Sequence, residues 1–323
     1  MRKIFLGMLV FALLLTATGC GGGGGPKETG TVQGYVYAPD KVTPIIGATV
    51  TAEGTGRTTT TDKQGAYALT GVPVGKRKII AVKGSYRAET TVTVTKGQTT
   101  TVKQLTLDPI GKIGVVEGSY DDVGAVLESL GISYEVIEEP ATTFASQTAL
   151  AEYAVIFFAC GDMSLFSPYD YEDDEIGETY KAIKANLRNF VKQGGSIYAS
   201  DWASVAVDVL YPDNEKIEFL GQRGIVQTIT ASITNPEIQS LLGKNTAEIY
   251  FDLPGWVVID SVAAGVTVDL RGTADTFDGK KTNIPLMVHF PDGKGTVVYT
   301  SFHNEAQATE DMKKILDYLV FSL

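Results

Sequence analysis

"ETYKAIKANLRNFVKQGGSIYASD", residues 178–201, decides the fold of the larger part of the chain. Its first eighteen residues read as an amphipathic helix that stops at Gly194-Gly195, the residue type that terminates helices most readily. "SIYASD" (196–201) follows at once as a strand. A helix feeding a strand across two glycines is half of a β/α repeat.

The neighbouring segments extend the repeat in both directions. "KIGVVEG" (112–118) is an apolar strand, and in the helix "YDDVGAVLESLG" after it Val123, Val126, Leu127 and Leu130 share a face. "SYEVIE" is a second strand, and "YAVIFFACG" (153–161) is a third, apolar on both faces and therefore central. Further on, "IPLMVHF", "GTVVYTSF" and the helix "ATEDMKKILDYLVF" complete the pattern. Residues 110–323 are thus expected to form an α/β domain with a doubly wound, mostly parallel sheet, whose site lies beyond the C-terminal ends of the strands. Residues 213–283, with "IVQTITASI" and "WVVIDSV" among many turn residues, read as an insertion or a β-rich extension.

Residues 30–107 follow a different grammar. "GTVQGYVYA", "GATVTAEG", "RTTTTDKQGAYALTGVPVG", "KRKIIAVKG" and "RAETTVTVTKGQTTTVKQLTL" alternate Thr and Val at period two, punctuated by turn residues. With no helical stretch among them, a small all-β sandwich is the natural solution. The run "PIIGATVTAEG…TTTTDKQGAYALTGVPVGK" is similar to the carboxypeptidase regulatory-like domain, a transthyretin-like fold. The resemblance implies a turn at Asp62–Gly65, inward-facing Tyr67 and Leu69, and a spacer or adhesive role without a catalytic set.

The first twenty residues, "MRKIFLGMLVFALLLTATGC", combine two positive charges, an apolar stretch from Ile4 to Leu15 and small residues. That is a secretory signal, too short to span a bilayer. Its end resembles a bacterial lipobox, which implies lipidation at Cys20, removal of the segment before it, and anchoring at the cell envelope. Gly21 after Cys20 resembles outer-membrane or cell-surface sorting. Residues 21–29 are a Gly-rich tether, and no later segment has the eighteen or more apolar residues of a membrane-spanning helix.

Charge separates the two modules. Residues 26–107 carry 11 Lys+Arg against 5 Asp+Glu, and residues 108–323 carry 14 against 33, in a chain of net charge −11. The acidic large domain argues against nucleic acid as partner. The partners expected are the membrane, through lipid on Cys20, and an unidentified ligand or envelope protein. With Cys20 lipidated, Cys160 is the only thiol, so no intramolecular disulfide is expected.

The candidate site combines "LRNFVKQGGSIYASDWA" with the late segment "GTVVYTSFHNE". Together they are similar to the class I glutamine amidotransferase domain and its ThuA-like relatives, of flavodoxin-like fold. In that family a nucleophilic Cys sits on the turn after the strand that follows the Gly-Gly helix end, and His and Glu come from a "FHPE"-like segment. Carried over by position, His303 and Glu305 match the His-x-Glu pair, with Asn304 where Pro is usual. The nucleophile position falls on Asp201. "ASDWA" also lacks the glycines that ease so sharp an elbow. Ser200, one residue earlier, is expected to face the other way.

A carboxylate at that position attacks amides poorly, so amidotransfer is not expected. The rival nucleophile is Cys160, at the end of "FFACGD", read either as a pocket residue or as an inert core thiol. Asp201, His303 and Glu305 are alternatively read as a metal site of two carboxylates and one imidazole, or as a hydrogen-bond network inherited with the fold. No cofactor is expected. The acidic loop "SPYDYEDDEIGE" (167–178) does not fit an EF-hand, and Tyr169, Tyr171 and Trp202 are candidates either for a ligand groove or for core packing. The reading is a non-catalytic, membrane-anchored lipoprotein with a binding or structural role, against an envelope hydrolase that uses Cys160 or Asp201 with His303.

Overall fold

The computed structural model describes residues 28–161, 164–166, 174–303 and 309–323. Cys20, Tyr169, Tyr171, Asn304, Glu305 and most of the acidic loop lie outside the described residues.

The N-terminal module is a sandwich of nine short strands: β1 (Thr29–Tyr37), β2 (Thr49–Ala52), β3 (Arg57–Thr60), β4 (Ala66–Pro73), β5 (Gly75–Lys83), β6 (Tyr86–Val94), β7 (Thr99–Thr101), β8 (Leu105–Thr106) and β9 (Asp108–Pro109). One sheet runs β4-β1-β7 with β8 also on β1, and the other runs β3-β2-β5-β6-β9. Alternation fixes the core: Val32 and Val36 on β1 meet Val50, Leu69 and Ile79 inside. The turn before β4 forms as its sequence implies. Asp62 Oδ1 accepts from the N–H of Gln64 and of Ala66, both at 2.9 Å. Gly65 takes φ +72 where an added Cβ would lie 2.4 Å from the Val36 carbonyl, so only glycine fits. Tyr67 and Leu69 point inward.

The second module is built on one nine-stranded sheet. Five of its strands are parallel: β10 (Lys112–Val116), β11 (Glu135–Val136), β12 (Tyr153–Phe158), β13 (Ser196–Ser200) and β20 (Gly295–Thr300). Their spatial order, β11-β10-β12-β13-β20, is the 2-1-3-4-5 order of flavodoxin-like sheets. Beyond β20 the sheet continues antiparallel through β19 (Gly279–Asp292), β18 (Thr267–Thr276), β15 (Gln227–Ile233) and β16 (Thr246–Phe251), while β14 (Ile217–Gln222) and β17 (Val257–Val262) pair as a separate ribbon. The expected mostly parallel sheet is therefore corrected to a mixed one, with four parallel and four antiparallel pairings. The cause lies in residues 213–283. There β18 and β19 pair as a hairpin and β15 pairs β16 across a short helix, all antiparallel, so these strands extend the sheet edge while β14 and β17 stand apart from it.

Helices cover both faces: α1 (Val123–Ser129), α2 (Pro140–Ala145), α3 (Gln147–Leu150), α4 (Asp174–Gln193), α5 (Ser204–Leu210), α6 (Pro236–Leu242) and α7 (Glu310–Val320). α4 buries Ile183, Leu187, Phe190 and Val191, a single stripe at helical spacing. It ends where a Cβ on Gly195 would meet the Phe190 ring at 2.2 Å. α1 buries Val123, Val126 and Leu127 beneath a cap from Asp122, whose Oδ1 accepts from Ala125 N–H at 2.9 Å. Among the described residues no helix is long and apolar enough to cross a membrane.

The modules are docked, not merely linked. The Phe321 ring packs on Tyr86 with centroids 4.7 Å apart, and Lys83 Nζ donates to Glu237 Oε2 at 2.5 Å. The Ser85 N–H donates to the Leu323 carbonyl, and the Asp40 N–H to that of Leu130 at 2.9 Å. One hydrophobic cluster runs from Val32 through Tyr86 to Leu323.

Candidate functional site

The site forms where β12, β13 and β20 end side by side. β13 delivers Asp201 into a 3₁₀ turn, Asp201–Ala203, that leads directly into α5. Asp201 itself adopts φ +45, the left-handed region that costs a side-chain-bearing residue about 1–2 kcal/mol. The strand–turn–helix elbow forms without glycine, because Asp is among the few residues that tolerate this backbone and because neighbours hold it. Val257 N–H donates to Asp201 Oδ1 at 2.6 Å, and Tyr299 Oη–H donates to the Asp201 carbonyl at 3.0 Å. Ser200 faces the other way, its Oγ–H donating to Asp121 Oδ2 at 2.5 Å.

His303 follows β20 by three residues and sets its Nε2 3.5 Å from Asp201 Oδ2. Cys160, just past β12, is 1 % exposed, with Sγ 3.7 Å from the same Asp201 oxygen. Three of the candidate residues that the sequence singles out, Cys160, Asp201 and His303, therefore come together.

Electrostatics separate their roles. Burial pushes the Cys160 thiol well above the ordinary thiol range, and the Asp201 and Asp121 carboxylates push it further. A thiol held protonated in this way is the opposite of an activated nucleophile. Asp201 is 4 % exposed, and its Oδ1 is occupied by the Val257 amide. The cluster contains a carboxylate at the elbow, an imidazole against it and a buried thiol, groups that could together ligate a metal.

A cavity of about 270 Å³ opens above these groups. Trp202 lines it, donating its Nε1–H to the Gly255 carbonyl at 2.9 Å and meeting Tyr120 edge-on at 5.1 Å. Its other wall comes from residues 250–256, where Trp256 stacks on Phe251 with centroids 4.0 Å apart. The sequence reading missed this wall. Its signal was "YFDLPGW", aromatics around a Pro-Gly turn, which is a loop composition suited to ligand contact. A second missed feature is the close approach of two strand-end loops. Tyr120 N–H donates to the Cys160 carbonyl at 3.0 Å, and a Cβ on Gly118 would meet that oxygen at 2.1 Å. His289 lies elsewhere, paired with the buried Asp269 at 2.7 Å.

Residues 31–108 match the carboxypeptidase regulatory-like domain. No curated protein matches the chain. Among solved structures the chain is similar to a cytoplasmic protein from Salmonella typhimurium, at 15% identity and TM-score 0.46 over 66% of this chain and 97% of that one. It is also similar to PurLQS from Thermotoga maritima, at 16% identity and TM-score 0.42 over 65% and 98%. A glutamine amidotransferase from the same organism aligns at 9% identity and TM-score 0.41 over 60% and 75%.

Proposed function

We propose that the chain is a lipid-anchored protein of the cell envelope whose α/β domain binds a small ligand in the cavity above Asp201 and performs no amidotransfer. The domain is read as a degenerate relative of the class I glutamine amidotransferases. The observation that carries the reading is Asp201 itself, which stands at the elbow where such an enzyme needs a thiolate. Acyl transfer from an amide requires a nucleophile that attacks and later leaves, and a carboxylate would have to form an anhydride. The aromatic walls supply what ligand binding needs, a concave and largely apolar surface with a few convergent polar groups. The acidic character of residues 108–323 argues for a ligand other than nucleic acid.

A second reading, an envelope hydrolase using Asp201 or Cys160 with His303, draws on the strained elbow. Backbone strain is retained where neighbours over-determine it, and His303 is close enough to Asp201 to serve it. The buried, protonated state of Cys160 weighs against the thiol version.

Two assays test the proposal. The wild-type protein is expected to release no ammonia from glutamine above background, and turnover abolished by His303→Ala would favour the hydrolase. Cys20→Ser is expected to leave a folded protein that no longer partitions into membranes, and unchanged partitioning would remove the lipid anchor from the account.

A further inference from the structure

One donor atom from each of Cys160, Asp201 and His303 lies within 4.8 Å of the other two. Two of the separations are 3.7 Å, from Cys160 Sγ to Asp201 Oδ2, and 3.5 Å, from Asp201 Oδ2 to His303 Nε2. A tetrahedral zinc ion, with Zn–S of about 2.3 Å and Zn–N or Zn–O of about 2.0–2.1 Å, sets its ligands roughly 3.3–3.5 Å apart. The apoprotein spacing thus needs to contract by only about 0.2 Å on these two edges. We propose that Cys160 Sγ, Asp201 Oδ2 and His303 Nε2 bind one Zn²⁺, with the fourth coordination position open to the cavity.

Two of the three ligands are positioned by groups that the metal does not use. Cys160 is pinned through its carbonyl by the Tyr120 amide, and Asp201 through Oδ1 by the Val257 amide, which leaves Oδ2 turned toward the other two donors. This is the outer support that metal ligands require. The donor set is discriminating: a thiolate with an imidazole suits zinc and cobalt and does not suit magnesium or calcium. When the metal binds, a Zn–S bond replaces the S–H bond and the proton leaves to solvent. The carboxylate oxygen and the imidazole nitrogen contribute lone pairs, and nothing is oxidised or reduced. The two carboxylates that disfavour a bare thiolate at Cys160 favour a dication there.

Three protein ligands and one open position are the arrangement that takes an exogenous ligand. Tyr120, Trp202 and Trp256 surround the opening. The class of molecule that fits has an anionic or thiol head on the metal and an aromatic or apolar body against these rings. This inference deepens the reading of the cavity as a ligand site and rests on it for the occupant of the fourth position.

The test is Co²⁺ titration of the full chain after metal stripping. One equivalent is expected to bind, with a thiolate-to-cobalt charge-transfer band in the near ultraviolet and the intense visible bands of a tetrahedral site, both displaced by Zn²⁺. Cys160→Ser should abolish the charge-transfer band, and His303→Ala and Asp201→Asn should each weaken binding at least about 10-fold. Circular dichroism monitors folding, and should Cys160→Ser not fold, His303→Ala carries the comparison, since it retains the thiol. Absence of the band in wild type overturns the proposal. So does a band that survives Cys160→Ser, which would put the metal on Cys20 or elsewhere, or an affinity indifferent to His303→Ala. None of these failures bears on whether Asp201 lacks nucleophilic chemistry, which covalent labelling reads separately.

Discussion

The Asp201 carboxylate stands 3.5 Å from His303 Nε2 at the C-terminal ends of two hydrogen-bonded parallel strands, β13 and β20. The chain thus sets an imidazole beside a buried carboxylate at the position where the resemblance would put a nucleophilic thiol. The third member, Cys160, approaches the same carboxylate oxygen at 3.7 Å, and burial raises the pKa of its thiol. All three groups line the cavity in which a ligand is proposed to bind.

Phe321→Ala should destabilise the whole protein by about 3–5 kcal/mol in denaturant unfolding, because this 2 % exposed ring joins α7 to Tyr86 across the two modules. Gly84→Ala should loosen the same contact, since φ is +53 and a Cβ would lie 2.0 Å from the Leu323 carbonyl. A loss below about 1 kcal/mol in both variants would show that the modules are independent.

Asp317, on α7, is pushed up from 3.8 to about 6, first by burial and then by Asp40 across the module boundary. A raised carboxyl makes the folded state lose stability, relative to the unfolded chain, as pH climbs from 3.8 through about 6. Asp317→Asn should therefore be more stable than wild type at pH 7 to 8, by about 1–2 kcal/mol after allowance for solvent screening, with the advantage gone below about pH 4. Parallel melting profiles across that range would contradict this.

His289 shifts stability with pH in the same direction, through a favourable partner and not through burial. Its hydrogen bond to Asp269 raises its pKa above 6.5, against a smaller lowering by burial. The stability it adds is fully present below about pH 6.5 and fades as pH rises through the raised value. His289→Gln should cost about 2 kcal/mol at pH 5.5 and less at pH 9. An equal cost at both pH values would mean that the pair holds as a neutral hydrogen bond.

The long periodic segments were legible from sequence because a strand apolar on both faces, such as Tyr153–Phe158, and a helix closed by Gly194-Gly195 leave few alternatives. Asp201 and His303 were legible by their position after such strands. The elbow was not, because reading it relied on glycine, and here Asp201 takes the left-handed backbone with support from Val257 and Tyr299, residues 56 and 98 positions away. The mixed sheet and the Trp256 wall escaped for a related reason. An antiparallel strand that extends a parallel sheet has the same residue pattern as one in a separate insertion, and only pairing partners distinguish them. The burial of Phe321 and Leu323 against the sandwich is a tertiary fact with no local signature.

The measurement closest to the central claim is intact-mass analysis after exposure to an electrophilic glutamine analogue, in a Cys20→Ser background with chelator present. Wild type, Cys160→Ala and His303→Ala should all remain unmodified. Asp201→Cys, which puts a thiol on the elbow beside His303, should acquire one adduct rapidly and lose that reactivity when His303 is also replaced by Ala. A rapid single adduct on wild type, absent in both Cys160→Ala and His303→Ala, would contradict the account and make the protein a thiol-dependent hydrolase.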